Sequence, residues 1–341
     1  MALGILVRTQ GSTYRKPGAM VLMADNGEYA GLISGGCLEG DLGERARAVI
    51  ETGRAALVSY DLRNSDDVLW GLGLGCEGAM HILLLRVGPQ EEWQPLAHLA
   101  AALRDHAATA IGVVTESTDS ALPMGALLLP ETTASALILP RALSSDTAAA
   151  LLEPHVLAAL AAAPRSGAVG SLEGPAARWQ LLLLPLSLPP RLLLLGAGPD
   201  ALPVVDFAAR LRWHVTLVDH RPAYAVPAHF PAAERVLLAR PEEVAQALDL
   251  KPFAAAVVMS HHLPSDLEYL RALSASPVPY VGLLGPAARR EKLLAELGAD
   301  AERLRPRLRA PVGFDLGGRT PEAVALAIVA EIHAFLHGTH K

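Results

Sequence analysis

The chain has 341 residues, 51% of them apolar, with 29 basic against 35 acidic side chains and a net charge of −6. That length sets two domains as the expectation and allows a sizeable core, while the mild acidity and the lack of any Lys/Arg run exclude a reader of nucleic-acid backbone. No uncharged apolar run reaches the ~18 residues of a spanning helix, and the opening Met1–Val7 stretch is too short for a signal peptide, so no membrane association is expected.

The elements are taken in chain order. Leu3–Val7 reads as a strand, followed by the turn-rich segment Gly11-Ser12-Thr13-Tyr14-Arg15-Lys16-Pro17-Gly18. Met20–Met23 and Tyr29–Ile33 read as strands joined by the hairpin signal Asp25-Asn26-Gly27. Ser34-Gly35-Gly36-Cys37 then opens a loop before a helix, Leu38 to Glu51, that stops at Gly53. Strands Ala56–Tyr60 and His81–Leu85 flank a second glycine loop, Gly71-Leu72-Gly73-Leu74-Gly75-Cys76-Glu77-Gly78. Residues 92–187 are dominated by Ala and Leu. Strands are expected at Ala110–Thr115 and Leu127–Leu129, a helix from Thr147 to Ala162, and a strand at Leu181–Leu184 that closes the sheet of this domain.

From Leu192 strands alternate with helices. Leu192–Leu195, Val215–Val218, Arg235–Leu238, Ala255–Met259 and Tyr280–Leu284 read as five short buried strands, and a last helix, Pro321 to Leu336, starts on the cap Thr320. The expected fold class is α/β. A C-terminal Rossmann-like, doubly wound parallel sheet over 188–341 follows an N-terminal mixed α+β domain over 1–187, clearest over 1–88. No internal repeat is apparent.

Leu192–Leu195 runs into Gly196-Ala197-Gly198-Pro199-Asp200-Ala201, a G-x-G-x-x-A loop that opens a helix. Gly196 permits the tight turn, Gly198 admits a pyrophosphate to the helix N-terminus, and Asp219 ends the next strand, where an acid meets a ribose. Pro199 removes a donor and Asp200 brings negative charge to the phosphate position. The motif therefore leaves open a bound nucleotide or a Rossmann scaffold for another ligand.

The only two cysteines fit a reducing cytoplasm and rule out a disulfide scaffold. Both Cys37 and Cys76 follow glycine-rich loops, and Cys37 directly precedes a helix, whose N-terminus favours the thiolate. Glycines let the backbone approach a bulky anion, and a thiolate is a fitting ligand for a soft metal centre. The alternative is that each thiol is a small buried hydrophobe. Zinc is not expected, because no second ligand stands at the required spacing.

Gly11–Ala19, Gly31–Asp41 (GLISGGCLEGD) and Trp70–Gly78 (WGLGLGCEG) resemble the N-terminal domain of XdhC/CoxI proteins, the xanthine dehydrogenase accessory factors. Val218-Asp219-His220-Arg221-Pro222, Met259-Ser260-His261-His262, Gly282–Pro286 and Gly313–Pro321 look like the same family's second domain. The resemblance implies a chaperone that binds molybdenum cofactor (molybdopterin), protects it during sulfuration and hands it to an apo molybdenum hydroxylase of the xanthine dehydrogenase type. It implies Cys37 and Cys76 as cofactor contacts, through molybdenum itself, with Gly35, Gly36 and Gly75 beside them. A cysteine desulfurase as sulfur source and a homodimer belong to the same expectation. Two departures stand out: this chain begins almost at the first strand, where relatives carry a preceding helix, and Pro199-Asp200 replaces the His and Val of many relatives.

Arg8, Arg15 and Lys16 flank the first loop and read either as a solvated basic turn, the slightly favoured reading, or as contacts for the cofactor's phosphate, with Arg15 the candidate carried forward. His261 and His262 stand at a strand's carboxyl end, with one of them, taken as His261, lining the crevice. Arg289 and Arg290 are candidates for an anion clamp. The favoured reading is a cofactor chaperone without turnover. The rivals are an NAD(P)-dependent oxidoreductase, which rests on the Rossmann motif and needs His261 or His262 as acid or base, and a dinucleotide-processing enzyme, which would need a carboxylate cluster for magnesium. Whether the cofactor is plain or dinucleotide is not encoded in these motifs.

Overall fold

The computed structural model describes residues 1–36, 38–61, 78–119, 122–130, 137–138, 154–166, 168–174 and 178–338. They form two compact units, Met1–Leu188 and Pro189–Lys341.

The first unit holds two five-stranded sheets. One is made of β1 (Ala2–Gly11), β2 (Met20–Met23), β3 (Tyr29–Gly31), β4 (Ala56–Asp61) and β5 (Gly78–Arg86), in the order β3-β2-β1-β5-β4 and antiparallel throughout. The other is made of β6 (Ala110–Ser117), β7 (Leu127–Pro130), β8 (Leu137–Ile138), β9 (Gly170–Glu173) and β10 (Trp179–Pro185), in the order β8-β7-β6-β10-β9. The alternation of each strand sorts its side chains between two cores. Leu3, Ile5, Leu83 and Leu85 meet Ile111, Val113, Leu182 and Leu184 between the sheets. The opposite face of the first sheet packs on α1 (Glu39–Thr52) through Leu42, Ala46 and Val49, which share one helix face. The opposite face of the second packs on α3 (Pro154–Ser166), which among the described helices follows α2 (Leu96–Arg104).

The two sheets are one unit drawn twice, which corrects the expectation of no repeat. Among the described residues each half runs three strands, a helix, then two strands, with the same strand order. Val7 bulges out of register between β1 and β5, and Thr115 does so between β6 and β10. Leu6 exchanges backbone hydrogen bonds with Gly18 and Ala19 (2.8 and 2.9 Å), and Val114 does so with Gly125 and Ala126 (2.8 and 2.9 Å). A side chain on Gly18 would strike Val169, and one on Gly125 would strike Ala55, the matching position of the other half. The trace in sequence is short: Ala2-Leu3-Gly4-Ile5-Leu6 against Ala110-Ile111-Gly112-Val113-Val114, then Gly18-Ala19 against Gly125-Ala126. Leu181–Leu184, expected to close a single sheet, lies inside the second sheet between β6 and β9. The expected helix from Thr147 falls on described residues only from Pro154 onward.

The second unit carries a six-stranded parallel sheet: β11 (Arg191–Leu195), β12 (His214–Asp219), β13 (Arg235–Leu238), β14 (Ala255–Val258), β15 (Val281–Leu283) and β16 (Leu308–Arg309). Its order, β13-β12-β11-β14-β15-β16, is that of a doubly wound dinucleotide fold, with the reversal between β11 and β14. Leu192 and Leu194 face α4 (Ala201–Arg210) and α9 (Pro321–Leu336). Leu193 and Leu195 face the other side, covered by α6 (Leu263–Ser274) and α7 (Ala287–Leu297). Between these helices stand the short α5 (Val244–Ala247) and α8 (Asp300–Leu304). Two readings change here. Arg235–Leu238 is a half-exposed edge strand and not a buried one, and the two-residue β16 is too short to leave a periodicity in sequence.

Candidate functional site

Register places the described strand ends that lead into the three motif segments of the first unit at one end of its first sheet. Gly11 at the end of β1 pairs with Gly78 at the start of β5, and Asp61 at the end of β4 pairs with Ala79. The chain therefore leaves β1 into the Arg15 loop, and leaves β4 for Cys76, at the same end; β3 runs antiparallel to β2 and turns out that way into Gly35-Gly36.

The Gly35-Gly36 loop is held from beneath by a buried carboxylate. Glu39, in the first turn of α1, accepts the backbone N–H of Ser34 (3.0 Å) and of Leu38 (3.3 Å), and a short hydrogen bond from the Ser34 hydroxyl. Leu38 also donates its N–H to Ser34 Oγ at 3.1 Å. Burial works to raise the Glu39 pKa, but the Ser34 hydroxyl and amide outweigh it and the net shift is downward. The residues on either side of position 37 are thus stapled to one ionised group, which also sits favourably at a helix N-terminus. Above the staple the loop is open. Gly35 and Gly36 are exposed, a Cβ on either would meet nothing among the described residues within 4 Å, and Gly36 has φ +100°, which only glycine adopts freely. A second anchor, Asp41, receives Arg45 (2.8 Å) and the Tyr60 hydroxyl (2.6 Å), which hold its carboxyl below the usual range.

Arg15 is exposed in the loop after β1, where the Thr13 hydroxyl donates to its carbonyl at 2.8 Å. Arg8 lies on β1 itself and pairs with Glu116 at 3.5 Å. Cys37, Cys76 and Gly75 lie outside the described residues. Glu39 and Ser34 escaped the sequence reading, although an acid in the first turn after a serine is a known device for closing a helix start.

In the second unit the glycine loop is closed by its own neighbours. Gly196 has φ +122°, and a Cβ there would lie 2.6 Å from the Met259 carbonyl and the Ser260 nitrogen. Asp219, assigned to a ribose from sequence, is fully buried and accepts the Ala197 N–H (2.8 Å), the Arg221 N–H (2.9 Å) and both arms of the Arg221 guanidinium (2.9 and 2.7 Å). Burial pushes its pKa up, the Arg221 and Ala197 hydrogen bonds push it further down, and the net shift is down. Arg221 in turn lies 3.8 Å from the Tyr224 ring centre. The Asp200 carboxylate folds back over the second glycine, so that a Cβ on Gly198 would lie 2.6 Å from its Oδ1. Its Oδ2 stands 2.7 Å from His261 Nε2. Pro199 and Pro203 take two further donors away from the start of α4.

The other side chains singled out from sequence at this sheet end are internally paired as well. His261 has φ +59° and presents its ring to Asp200, while His262 Nδ1 meets Ser265 Oγ at 2.9 Å. Arg289, a sequence candidate for an anion clamp, is bound to the buried Asp266 at 2.5 Å, and Arg290 donates to the Ala310 carbonyl at 2.6 Å. Each guanidinium thus has a partner in the fold. Among the described residues no group of three His, Cys, Asp or Glu side chains is placed to hold a metal ion. No helix among them is long and apolar enough to cross a membrane.

Comparison with known proteins follows the division into two units. Residues 1–61 match the XdhC and CoxI family, and residues 192–332 match the XdhC Rossmann domain. A protein of Bacillus subtilis (strain 168), named as a probable xanthine dehydrogenase subunit, is 31% identical over 97% of this chain and 91% of its own. An uncharacterized protein of Escherichia coli (strain K12), YqeB, is 33% identical over 42% of this chain and 27% of its own. A crystal structure titled as a xanthine dehydrogenase from Bacillus halodurans superposes with a TM-score of 0.79 at 27% identity, over all of this chain and 92% of that one.

Proposed function

The chain belongs to the XdhC and CoxI family, and from that premise we propose that it serves a xanthine-dehydrogenase-type molybdenum hydroxylase by binding molybdenum cofactor as cargo, keeping it through sulfuration and delivering it to the apo-enzyme. The observation that carries this reading is the stapled, open loop at Gly35-Gly36, at the sheet end where the Arg15 loop and the approach to Cys76 also emerge. Its parts fit the cargo. Exposed glycines admit a bulky anion to the backbone, a helix N-terminus favours thiolate at Cys37, and Arg15 supplies a cation for a phosphate. Sulfur would come from a cysteine desulfurase, and the working form would be a cytoplasmic homodimer.

The second unit supports this reading over a nicotinamide oxidoreductase. A dinucleotide needs a free acid for ribose and free amides for pyrophosphate. Here the acid is buried against Arg221 and a carboxylate covers the glycine loop.

The test is protein purified from cells that make molybdenum cofactor, denatured and assayed for released pterin and for nicotinamide nucleotide. Pterin in the wild type, lost in Cys37→Ala or Cys76→Ala, is the expected outcome. Nicotinamide nucleotide without pterin in every sample would replace this function with the oxidoreductase.

A further inference from the structure

The second unit carries a pair of histidines that the cofactor reading does not use. His333 lies in the last turn of α9, and His337, four residues on, is its C-cap. Both residues are exposed, and their ring centres lie 4.2 Å apart. Side chains four apart share one helix face, and two imidazoles at that spacing are a recurring way for a helix to hold a metal ion.

Local bonding leaves the lone pairs that a metal needs. His337 is tied twice to the His333 carbonyl, through its backbone N–H at 3.2 Å and its ring Nδ1 at 2.9 Å. A ring nitrogen that meets a carbonyl carries the proton, so in the neutral imidazole the lone pair stands on Nε2. Among the described residues that Nε2 has no hydrogen-bond partner, and neither has either ring nitrogen of His333. The His333 ring also stacks on the buried Trp213, with 16° between the planes, so both ligands are held before an ion arrives.

The spacing fits as well. Two imidazole nitrogens ~2.0–2.1 Å from one ion, at square-planar or tetrahedral angles, put their ring centres roughly 4.5–5.2 Å apart. The observed 4.2 Å falls short of that by less than about 1 Å, a gap that small side-chain rotations close. The pair stands at the carbonyl end of a 16-residue helix, where the macrodipole favours a cation.

We propose that His333 and His337 form a two-imidazole site for a divalent late first-row transition ion, the class of zinc, nickel and copper, with water in its remaining positions. The protein supplies two ligands rather than three, so the site is open and its ion exchangeable. It is independent of the cofactor reading and is tested on protein that carries no cofactor.

The experiment is titration calorimetry of the full chain with Cu(II), Ni(II), Zn(II), Mg(II) and Ca(II), after the thiols are blocked with N-ethylmaleimide. Saturable binding of the first three ions is expected, copper tightest, with none of magnesium or calcium, which prefer oxygen ligands. His333→Ala and His337→Ala should each weaken it about tenfold or more, the scale of losing a metal-site group, while His229→Ala, at another exposed histidine, leaves it unchanged. Zinc should also slow hydrogen exchange in the last turn of α9 in the wild type and not in either of the two variants. Absence of saturable binding by copper, nickel and zinc up to roughly 1 mM would overturn the proposal. So would an affinity unchanged in either His333→Ala or His337→Ala.

Discussion

The loop before α1 and the loop before α4 are made of similar residues: a strand end, glycines, an acid in or near the first helical turn. They are built for opposite purposes. Before α4 the glycines serve the protein's own packing, since Gly196 lies against the backbone of Met259 and Gly198 lies under Asp200. Before α1 no described residue packs on them, since among the described residues no atom stands within 4 Å of a Cβ on Gly35 or Gly36. The carboxylates that hold the two loops, Asp219 at the end of β12 and Glu39 in α1, differ in the same way. Asp219 draws its loop inward against Arg221, whereas Glu39 holds the base of its loop and leaves the crest exposed. A glycine motif is therefore a statement about close approach, and only the structure says whether the approaching group is the protein or a ligand.

The largest expected effect breaks the closed loop. Asp219→Ala leaves the Arg221 guanidinium and the Ala197 amide without their buried partner, a loss of about 3–5 kcal/mol. Hydrogen exchange of the β11 and β12 amides reads it. The sign with pH follows from the direction of the shift. The folded pKa is depressed, so the contribution is present above the unfolded value, near 3.8, and is lost as pH falls through the lower folded value. Asp219→Asn should therefore differ most from wild type at neutral pH and converge with it in strong acid. A gap that persists in acid would show that the carboxylate charge is not what closes the loop.

Glu39→Ala is the matching change at the open loop. It strands the Ser34 and Leu38 amides at a smaller cost, about 1–3 kcal/mol. Pterin content should fall with it, and Glu39→Gln should recover part of both, because an amide oxygen can still accept from the backbone. Full pterin in Glu39→Ala would mean that the staple does not shape the cargo site.

The contrast between these loops also marks how far sequence reading reached. The parallel sheet was legible because each of its longer strands alternates with a helix and buries both faces, which leaves a run of apolar residues. The strand boundaries around Met20–Met23 and the helix stop at Gly53 were legible from turn chemistry. The duplication was not, because what its halves share is a bulge, a pair of backbone hydrogen bonds and a strand order, while only a few small residues recur. Asp219 was legible as an acid in the right place, but nothing in the sequence shows that Arg221, two residues on, folds back onto it. Glu39 was passed over because an acid in a first helical turn is ordinary; its burial is what makes it a staple.

The smallest expected change in stability discriminates most sharply. Gly196→Ala forces a Cβ into the Met259 backbone at φ +122° and should cost about 2–5 kcal/mol. Gly35→Ala puts the same methyl group clear of every described residue and should leave stability within about 0.5 kcal/mol. If the open crest is where cargo approaches the backbone, that methyl stands in the way, and pterin content should drop in a protein whose melting curve overlays the wild type. Retained pterin would place the cargo elsewhere on the unit. A loss of pterin with no loss of stability is the signature of a glycine kept for a ligand, and Gly196→Ala, unstable for reasons of packing, is its control.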